Sequence, residues 1–445
     1  MKKKGIVLTA LLSLTMAATA QKQWTLSECI AYALENNISL KKSKLDLESS
    51  TEDLKGAKAA LLPTVTASTS QNFGYQPWKE SSIVTVTNGQ VNTETDKTSY
   101  NGSYSVNGQW TVWNGGRNVK NVKISKLTEQ EAELSAQESA NTIQESIARI
   151  YVQILYLDES VKVMQQTLET SKKNEERGRE MVAVGKMSKA DLAQLSAQRA
   201  TDEYNIVETQ SQLANYKLQL KQLLEITDEQ PFDVAIPDIP DERILGDVPA
   251  LQTVYEQALL TRPEIERQEL AAKSSALSVS VAKAAWLPTV NLQGGVTTST
   301  NSLSSNGWSA QMKSNVNASL GVGVSMPLYD GRSTKTQVNK AKIKLLQAQL
   351  DLQEKQKSLY ASLQGFWLDA TTNQQKYKAA TSSVESASES YDLLSEQFRL
   401  GLKNIVELMT GKDKLLQAQQ NRLQSKYQTV YNKQMLEFYQ GNEIK

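Results

Sequence analysis

The stretch of residues 118–184 constrains the fold of this chain more than any other part of the sequence. It contains no proline and a single glycine, Gly178. Apolar residues recur along it in steps of four and three, the spacing of a helix packed against other helices in a left-handed coiled coil. These residues are Ile143, Ile147, Ile150, Ile154, Leu157, Val161, Met164 and Leu168. A helix over the whole stretch is roughly 100 Å long at 1.5 Å per residue, which is more than a compact globular domain needs.

The sequence is internally duplicated. The matching segments are AKAALLPTV at 57–65 and AKAAWLPTV at 282–290, WNGGR at 113–117 and YDGR at 329–332, and AVGKMSKADL at 183–192 and RLGLKNIVEL at 399–408. Three matches in the same order predict two copies of one structural unit. We place the first repeat at 21–227 and the second at 250–445. Residues 228–249 between them carry four prolines, which prevent a continuous helix, so we interpret this segment as a linker.

Both repeats have the same predicted order of elements. A short helix comes first, opened in the first repeat by the capping box Thr25–Glu28. A second helix stops at Pro63 or Pro288 and leads into a strand pair, a long helix and a return helix. The predicted positions are 64–113 and 289–328 for the strand pairs, 76–98 and 301–313 for polar loops within them, 118–184 and 333–400 for the long helices, and 188–226 and 404–440 for the return helices. The second and return helices together nearly match the long helix in length, so we expect them to stack head to tail along it.

Polar and apolar residues alternate in the second strand of each pair, at Tyr100–Val112 and Val316–Leu328. Each run exceeds the roughly 9–11 residues that a tilted strand needs to cross a bilayer. Alternation alone also fits a soluble β-sandwich. A four-stranded sheet with two open edges cannot lie in lipid, because unpaired backbone groups there cost several kcal/mol each. If the strands enter a membrane, they must close with strands of other subunits. Trp110, Trp113 and Trp78 are then candidates for an interfacial aromatic belt, although Trp113 also fits a turn.

Composition narrows the possible functions. With Lys+Arg 49 and Asp+Glu 48, the formal net charge is +1, which does not favour nucleic acid as a partner. The absence of histidine removes the commonest general acid–base residue and the commonest nitrogen ligand of zinc. General acid–base work would then fall to carboxylates, tyrosine or lysine, and no constellation of these residues supports an enzyme. We expect no catalytic residue, no cofactor and no metal site. Residues 1–20 have a basic start, an apolar core and an A-x-A site, which is typical of a signal peptide. No later stretch is apolar enough for a transmembrane helix, so membrane insertion would have to use strands.

Together these features resemble the TolC-like family of outer-membrane efflux proteins, the outer-membrane factors. The resemblance covers nearly the whole chain after the signal peptide. Its local motifs are LPTV at 62–65 and 287–290, PLYDGR at 327–332, VGKMSKADL at 184–192 and GLKNIVEL at 401–408. The resemblance implies a mostly α fold with membrane β structure and an internal tandem duplication. Long antiparallel coiled-coil helices would form an α-helical barrel, and four strands per chain would contribute to a trimeric twelve-stranded β-barrel.

The resemblance also implies a function, that of a passive exit duct in a tripartite efflux or secretion system. Such a protein is not an enzyme and lies in the outer membrane of a Gram-negative-type cell, with its helices in the periplasm. The expected partners are further copies in a homotrimer, a periplasmic adaptor (membrane fusion) protein, an inner-membrane transporter of RND or ABC type, and outer-membrane lipid. The alternative is a secreted trimeric coiled-coil structural or adhesin protein. That alternative predicts one continuous parallel rod, and the duplicated strand pairs and glycine-turned return helices argue against it.

Site residues are implied at the two turns between long and return helices. Lys403 falls where the family often has an arginine that holds the closed state, and Glu407 where acidic side chains line the aperture. Asp191 at the first turn is the expected partner of Lys403. The alternative is that all three are ordinary solvated charges, worth about 0–1 kcal/mol each. The residues expected to contact the adaptor are Val184, Gly185, Lys186, Met187, Ser188, Leu400, Gly401, Leu402 and Asn404.

Overall fold

A computed structural model describes residues 23–78, 83–87, 90–94, 97–227 and 232–444. The predicted signal peptide at 1–20 lies outside the described residues. The helices are α1 (Leu26–Asn36), α2 (Ile38–Ala59), α3 (Arg117–Ala183), α4 (Lys189–Leu223), α5 (Asp241–Leu245), α6 (Leu251–Thr261), α7 (Pro263–Lys283), α8 (Trp308–Ser314), α9 (Ser333–Arg399) and α10 (Ile405–Tyr439). The strands are β1 (Gln23–Trp24), β2 (Thr64–Tyr75), β3 (Ile83–Thr87), β4 (Gln90–Glu94), β5 (Thr98–Trp113), β6 (Asp233–Val234), β7 (Thr289–Asn301) and β8 (Asn317–Ser325). Among the described residues, no helix has both the length and the hydropathy needed to span a membrane.

The described residues form two compact units. The first contains 23–42, 137–262 and 357–444, and the second contains 43–136 and 263–356. Both repeats therefore contribute to each unit, and the duplication of the sequence does not correspond to two separate bodies. The unit boundaries fall inside α2, α3 and α9 and between α6 and α7.

The second unit contains an antiparallel sheet with strand order β2-β5-β7-β8. The two repeats meet at its centre, where β5 pairs with β7 and Val106 stands opposite Val296. The first repeat supplies the outer strand β2, which pairs with β5, and the second supplies β8, which pairs with β7. Among the described residues, β2 and β8 are therefore the edges of this sheet.

Three details of this region differ from the sequence predictions. The predicted loop at 76–98 contains the antiparallel strand pair β3–β4. The predicted loop at 301–313 overlaps helix α8. Strand β8 ends at Ser325 instead of Leu328, because Pro327 has no N–H to donate to a strand ladder.

The first unit buries the heptad that dominates the sequence. Ile147 and Ile154 of α3 have no solvent exposure, and their heptad neighbours Ile143, Leu157 and Val161 are also buried. The remaining heptad residues are Ile150, Met164 and Leu168, all half-buried. The coiled-coil spacing thus identified the packed face of this helix correctly.

In the first unit, the end of each return helix contacts the residues just before the second helix of the same repeat, as the predicted head-to-tail stacking requires. Asn37, just before α2, donates from Nδ2 to the carbonyl of Leu223 at the end of α4, at 3.1 Å. In the second repeat, Thr261 Oγ1 donates to the carbonyl of Tyr439 at the end of α10, at 3.4 Å. The Arg262 guanidinium carbon lies 4.1 Å from the centre of the Tyr439 ring. Each return helix therefore ends against the residues that precede the second helix of its own repeat.

The predicted linker is packed against helices in its described part, residues 232–249, which we call the strap. Strand β6 pairs in parallel with β1. Tyr377 of α9 donates from its hydroxyl to Asp241 Oδ1 at 2.7 Å, and Gln374 donates from Nε2 to the carbonyl of Gly246 at 2.7 Å. The prolines prevent a long helix, as predicted, but the strap is fixed by side chains rather than being a free connection.

Candidate functional site

The four-stranded sheet has one apolar face and one polar face. Cross-strand pairing places Val106 beside Val296 and Leu292 beside Val322. Because side chains alternate along a strand, the residues between them point to the other face. That polar face carries Thr66, Ser68, Ser70, Ser103, Ser105, Asn107, Asn291, Gln293, Thr297, Asn317 and Ser319. On the apolar face, Leu320 is 79% exposed and Val322 68% exposed in this chain. A contiguous apolar surface of this kind marks contact with a membrane or a partner.

The two turns between long and return helices have the same backbone geometry. The N–H groups of Lys186 and Leu402 each donate to the carbonyl five residues earlier, at 2.8 and 2.9 Å, as in a Schellman helix end. Gly185 and Gly401 have φ of +72° and +74°, a left-handed conformation that glycine adopts without strain. We call these turns, at 184–188 and 400–404, the tips.

The first residue of each return helix is preceded by a side-chain cap. Ser188 Oγ accepts the Asp191 N–H at 3.0 Å and donates to Asp191 Oδ2 at 2.8 Å. Asn404 Oδ1 accepts the Glu407 N–H at 3.0 Å, and Glu407 Oε2 accepts the Asn404 N–H at 3.3 Å. Two of the predicted gate residues, Asp191 and Glu407, therefore also hold the start of a helix.

Lys403 has a different partner from the one predicted. Its Nζ lies 2.5 Å from Glu407 Oε1, whereas Asp191 bonds to Ser188 at the other tip. Within the chain Lys403 pairs with Glu407, because Glu407 lies one turn of helix away, and the expected Lys403–Asp191 pair stays a prediction for the assembled protein. The hydrogen bond from Lys403, followed by that from the Asn404 backbone, lowers the pKa of Glu407 below its usual value.

The predicted docking residues are mostly exposed and include apolar side chains. Val184, Leu400 and Leu402 are 69%, 58% and 71% exposed. Met187 differs from them, since it packs against a buried apolar cluster behind the tips. That cluster joins the two repeats through α4, α9 and α10, and its members are Leu195, Tyr391, Phe398, Ile405 and Leu408. The apolar surface of the tips is therefore small, exposed and supported by a packed base.

A buried polar group beyond this cluster was missed by the sequence analysis. Lys412 Nζ donates to Asp202 Oδ2 at 2.6 Å and to Ser171 Oγ at 2.9 Å, and Ser171 Oγ donates to the same carboxylate at 2.5 Å. The three residues belong to α10, α4 and α3, and each is 4–5% exposed. The sequence does contain a signal for this buried group, because the heptad spacing of α3 continues after Leu168 to the polar residues Ser171 and Glu175. Polar residues at seam positions specify which helices pair and in which register.

Glu175 lies in a second charged group, one turn nearer the tip. Its carboxylate accepts from Arg179 Nη2 at 2.8 Å, Ser196 Oγ at 2.8 Å and Arg199 Nε at 2.7 Å. The hydrogen bond from Arg179, followed by that from Ser196, lowers the pKa of Glu175 to about 2. This carboxylate joins α3 to α4, which makes the first helical hairpin dependent on its charge.

The two-faced sheet, the long antiparallel hairpins and the glycine tips define a class of outer-membrane channel component. The chain belongs to the outer membrane efflux protein family, whose sequence profile matches residues 29–225 and 254–442. The two matched segments lie within the predicted repeats at 21–227 and 250–445. The suspected TolC-like resemblance is thereby confirmed.

Individual relatives are distant in sequence but similar along nearly their whole length. The outer membrane efflux protein BepC of Brucella suis is 22% identical over 436 residues, which cover 96% of this chain and 88% of BepC. The outer membrane protein TolC of Salmonella enteritidis is 20% identical over 443 residues, which cover 99% of this chain and 86% of TolC. The solved structure of CusC matches with a TM-score of 0.79 at 15% identity, covering 94% of this chain and 92% of CusC.

The family assignment decides between the two functions considered. The chain is an outer-membrane channel component of an efflux or secretion system, with its helices in the periplasm. The secreted coiled-coil or adhesin alternative has no support. Its single parallel rod is also contradicted by α3 and α4, and by α9 and α10, which reverse direction at the tips.

Proposed function

We propose that three copies of this chain assemble into a homotrimeric, passive exit duct. The observation that carries the proposal is the sheet β2-β5-β7-β8, which has two edges in the described chain and one apolar face. Four strands are too few to close a barrel, since the smallest single-chain barrels use about 8. Three such sheets joined edge to edge supply twelve strands, with the apolar face toward outer-membrane lipid and the polar face lining the bore.

The same proposal assigns the tips to partner contacts. The exposed apolar side chains at Val184, Leu400 and Leu402 suit a periplasmic adaptor protein, which connects the duct to an inner-membrane transporter of RND or ABC type. Asp191, Lys403 and Glu407 line the periplasmic aperture of the trimer. The duct performs no chemistry, so solute passes because the transporter drives it and the bore is polar.

Cysteine cross-linking between neighbouring copies tests the closed barrel. Cys29 is the chain's one cysteine and is buried, so a Cys29→Ala background leaves no competing thiol. Thr66→Cys on β2 is combined in turn with Ser319→Cys, Gly321→Cys and Gly323→Cys on β8, and membranes are oxidised before denaturing electrophoresis. We expect at least one pair to give covalent dimers and trimers, while each single variant gives monomers only. A monomer in detergent by light scattering, with no cross-link from any pair, would overturn the proposal.

A further inference from the structure

Helix α8 lies on the apolar face of the sheet, at the end remote from the start of the long helices. Thr298 Oγ1 donates to the carbonyl of Met312 at 3.0 Å. The ring of Trp308 meets the ring of Tyr104 edge to face, with centroids 6.2 Å apart, and Trp308 Nε1 donates to the Tyr104 hydroxyl at 3.4 Å. Tyr104 stands opposite Thr298 in the β5–β7 ladder and two residues from Val106, so it shares the face of that valine.

A buried glutamine fixes α8 in this position. Gln311 is 5% exposed. Its Oε1 accepts the Asn301 N–H at 2.7 Å, and its Nε2 donates to the carbonyls of Asn301 at 3.0 Å and Asn306 at 2.6 Å. After the helix, Asn315 Nδ2 donates to the carbonyl of Ser299 at 2.7 Å. The helix is therefore attached to the end of β7 from its middle and from its C-terminal end.

Aromatic residues border the apolar face at two levels of strand β5. Trp110 lies near the long helices, and Tyr104 and Tyr100 lie near α8. From Trp110 to Tyr100 the strand rises roughly 33 Å at about 3.3 Å per residue. At a strand tilt of about 40°, Tyr100 lies roughly 25 Å from Trp110 along the membrane normal, which is the height of the apolar band between aromatic girdles in outer-membrane barrels. Tyr104, four residues from Tyr100, lies about 10 Å below that level.

We propose that α8, with Trp308 and Tyr104, is an interfacial anchor that lies at the boundary between the acyl chains and the headgroups of the outer leaflet. The proposal rests on the closed barrel proposed above, in which the apolar face meets lipid. Lipid is the occupant because the exposed side chains of Leu320 and Val322 lead along the same face toward α8. Trp308 is still 56% exposed after its contact with Tyr104, and indole rings favour the boundary between acyl chains and headgroups. The anchor fixes the depth of the barrel in the membrane.

Depth-dependent fluorescence quenching tests the anchor in the full-length protein. Single cysteines at Ala310 on α8, Leu320 on the apolar face and Ser319 on the polar face are introduced in the Cys29→Ala background. Each is labelled with a small environment-sensitive dye and reconstituted in phospholipid vesicles carrying spin labels near the headgroup or deep in the acyl chain. We expect position 310 to be quenched more by the shallow label than by the deep one, position 320 by the lipid labels rather than by iodide, and position 319 chiefly by aqueous iodide.

The outcomes separate the anchor from the barrel. If positions 320 and 319 behave as expected but position 310 is quenched by iodide alone, α8 projects into water and the anchor proposal fails. If position 310 is shielded from both lipid labels and iodide, another part of the assembly covers α8, and the proposal also fails. If position 320 is not quenched by lipid, the barrel proposal itself fails.

A tryptophan substitution gives an independent readout. Trp308→Ala is expected to reduce shallow quenching at position 310, whereas Trp308→Tyr, which keeps an interfacial aromatic ring, retains it. Trp78→Ala is the matched control, because Trp78 is 90% exposed beyond the end of β2. Equal quenching in Trp308→Ala and Trp78→Ala would show that Trp308 does not set the position of α8.

Discussion

Lys412 and Asp202 form a buried ion pair that joins the two repeats. Their charged atoms are 2.6 Å apart, both side chains are 5% exposed, and they lie on α10 and α4. Gln198 Nε2 also donates to the same carboxylate, at 3.0 Å. A buried pair of this kind adds little net stability, but loss of one partner leaves an uncompensated charge.

We therefore predict that Lys412→Met is strongly destabilising, by about 3–5 kcal/mol in the free energy of unfolding. The double variant Lys412→Met/Asp202→Leu removes both charges and should recover most of that loss. Denaturant unfolding of the purified protein, followed by circular dichroism, measures both. Lys414→Met is the matched control, since Lys414 is exposed on the same helix. A Lys412→Met effect no larger than that of the control would contradict the prediction.

The Lys412–Asp202 pair also shows where sequence reasoning succeeded and where it stopped. The heptad and the tip glycines determine local structure, and both could be located from spacing alone. The partner of Asp202 could not be identified from the sequence, because α4 and α10 are far apart along the chain and each helix carries many charged residues. A polar residue in a heptad seam shows that a buried partner exists, but only the packing of the helices shows which one.

The partner that Lys403 has within the chain was missed for a related reason. The resemblance placed Lys403 and Asp191 at two tips and suggested a pair, but a helix turn already provides Glu407 beside Lys403. Within one chain, Lys403 therefore contacts the acceptor one helical turn away, Glu407, rather than Asp191 at the other tip. Helix α8 was missed because its seven residues are too few to show a periodic pattern.

The charge of Glu175 should make the first hairpin sensitive to acid. Its pKa in the folded chain is about 2 against an ordinary value of 4.5, so the unfolded chain takes up the proton first. The carboxylate's contribution to stability is full above pH 4.5 and is lost as the pH falls toward 2. Glu175→Gln should be less stable than wild type at pH 7 and should lose less stability between pH 5 and pH 2. Parallel slopes of unfolding free energy against pH for the two proteins would refute this assignment.

The tip glycines should resist substitution because of their backbone conformation. Gly185→Ala and Gly401→Ala place a Cβ in a left-handed conformation, at a cost of about 1–2 kcal/mol each. Steric crowding does not contribute to this cost, since a Cβ at either position meets nothing within 4 Å. Gly365→Ala in α9 is the control: it has equal space and a helical backbone, so it should stabilise by up to about 1 kcal/mol. Thermal unfolding distinguishes the expected loss of stability at the tips from the expected gain at Gly365. A stabilising Gly401→Ala would disprove the requirement for glycine at that tip.

The strap should loosen when its side-chain anchors are removed. Tyr377→Phe deletes the hydroxyl that donates to Asp241. Burial of this hydroxyl, together with its hydrogen bond to Asp241, raises the pKa of Tyr377 to about 12. Loss of one such bond costs about 0.5–1.5 kcal/mol, which is enough to raise the rate of tryptic cleavage at Arg243 within the strap. Tyr360→Phe, on the same helix and half-exposed, is the control. Equal cleavage rates in the two variants would indicate that the strap is held by other contacts.

Substitutions at the second tip test the gate in the assembled duct. Lys403→Glu replaces the cation 2.5 Å from Glu407 with a like charge, and three copies would repeat this repulsion around the aperture. We expect a higher single-channel conductance in planar bilayers. Glu407→Gln removes the charge but keeps an oxygen that can accept the Asn404 N–H, so cation selectivity should fall while stability stays near that of wild type. Lys186→Glu at the first tip is the matched control. Unchanged conductance in Lys403→Glu, or the same change in Lys186→Glu, would exclude Lys403 and Glu407 as the specific gate.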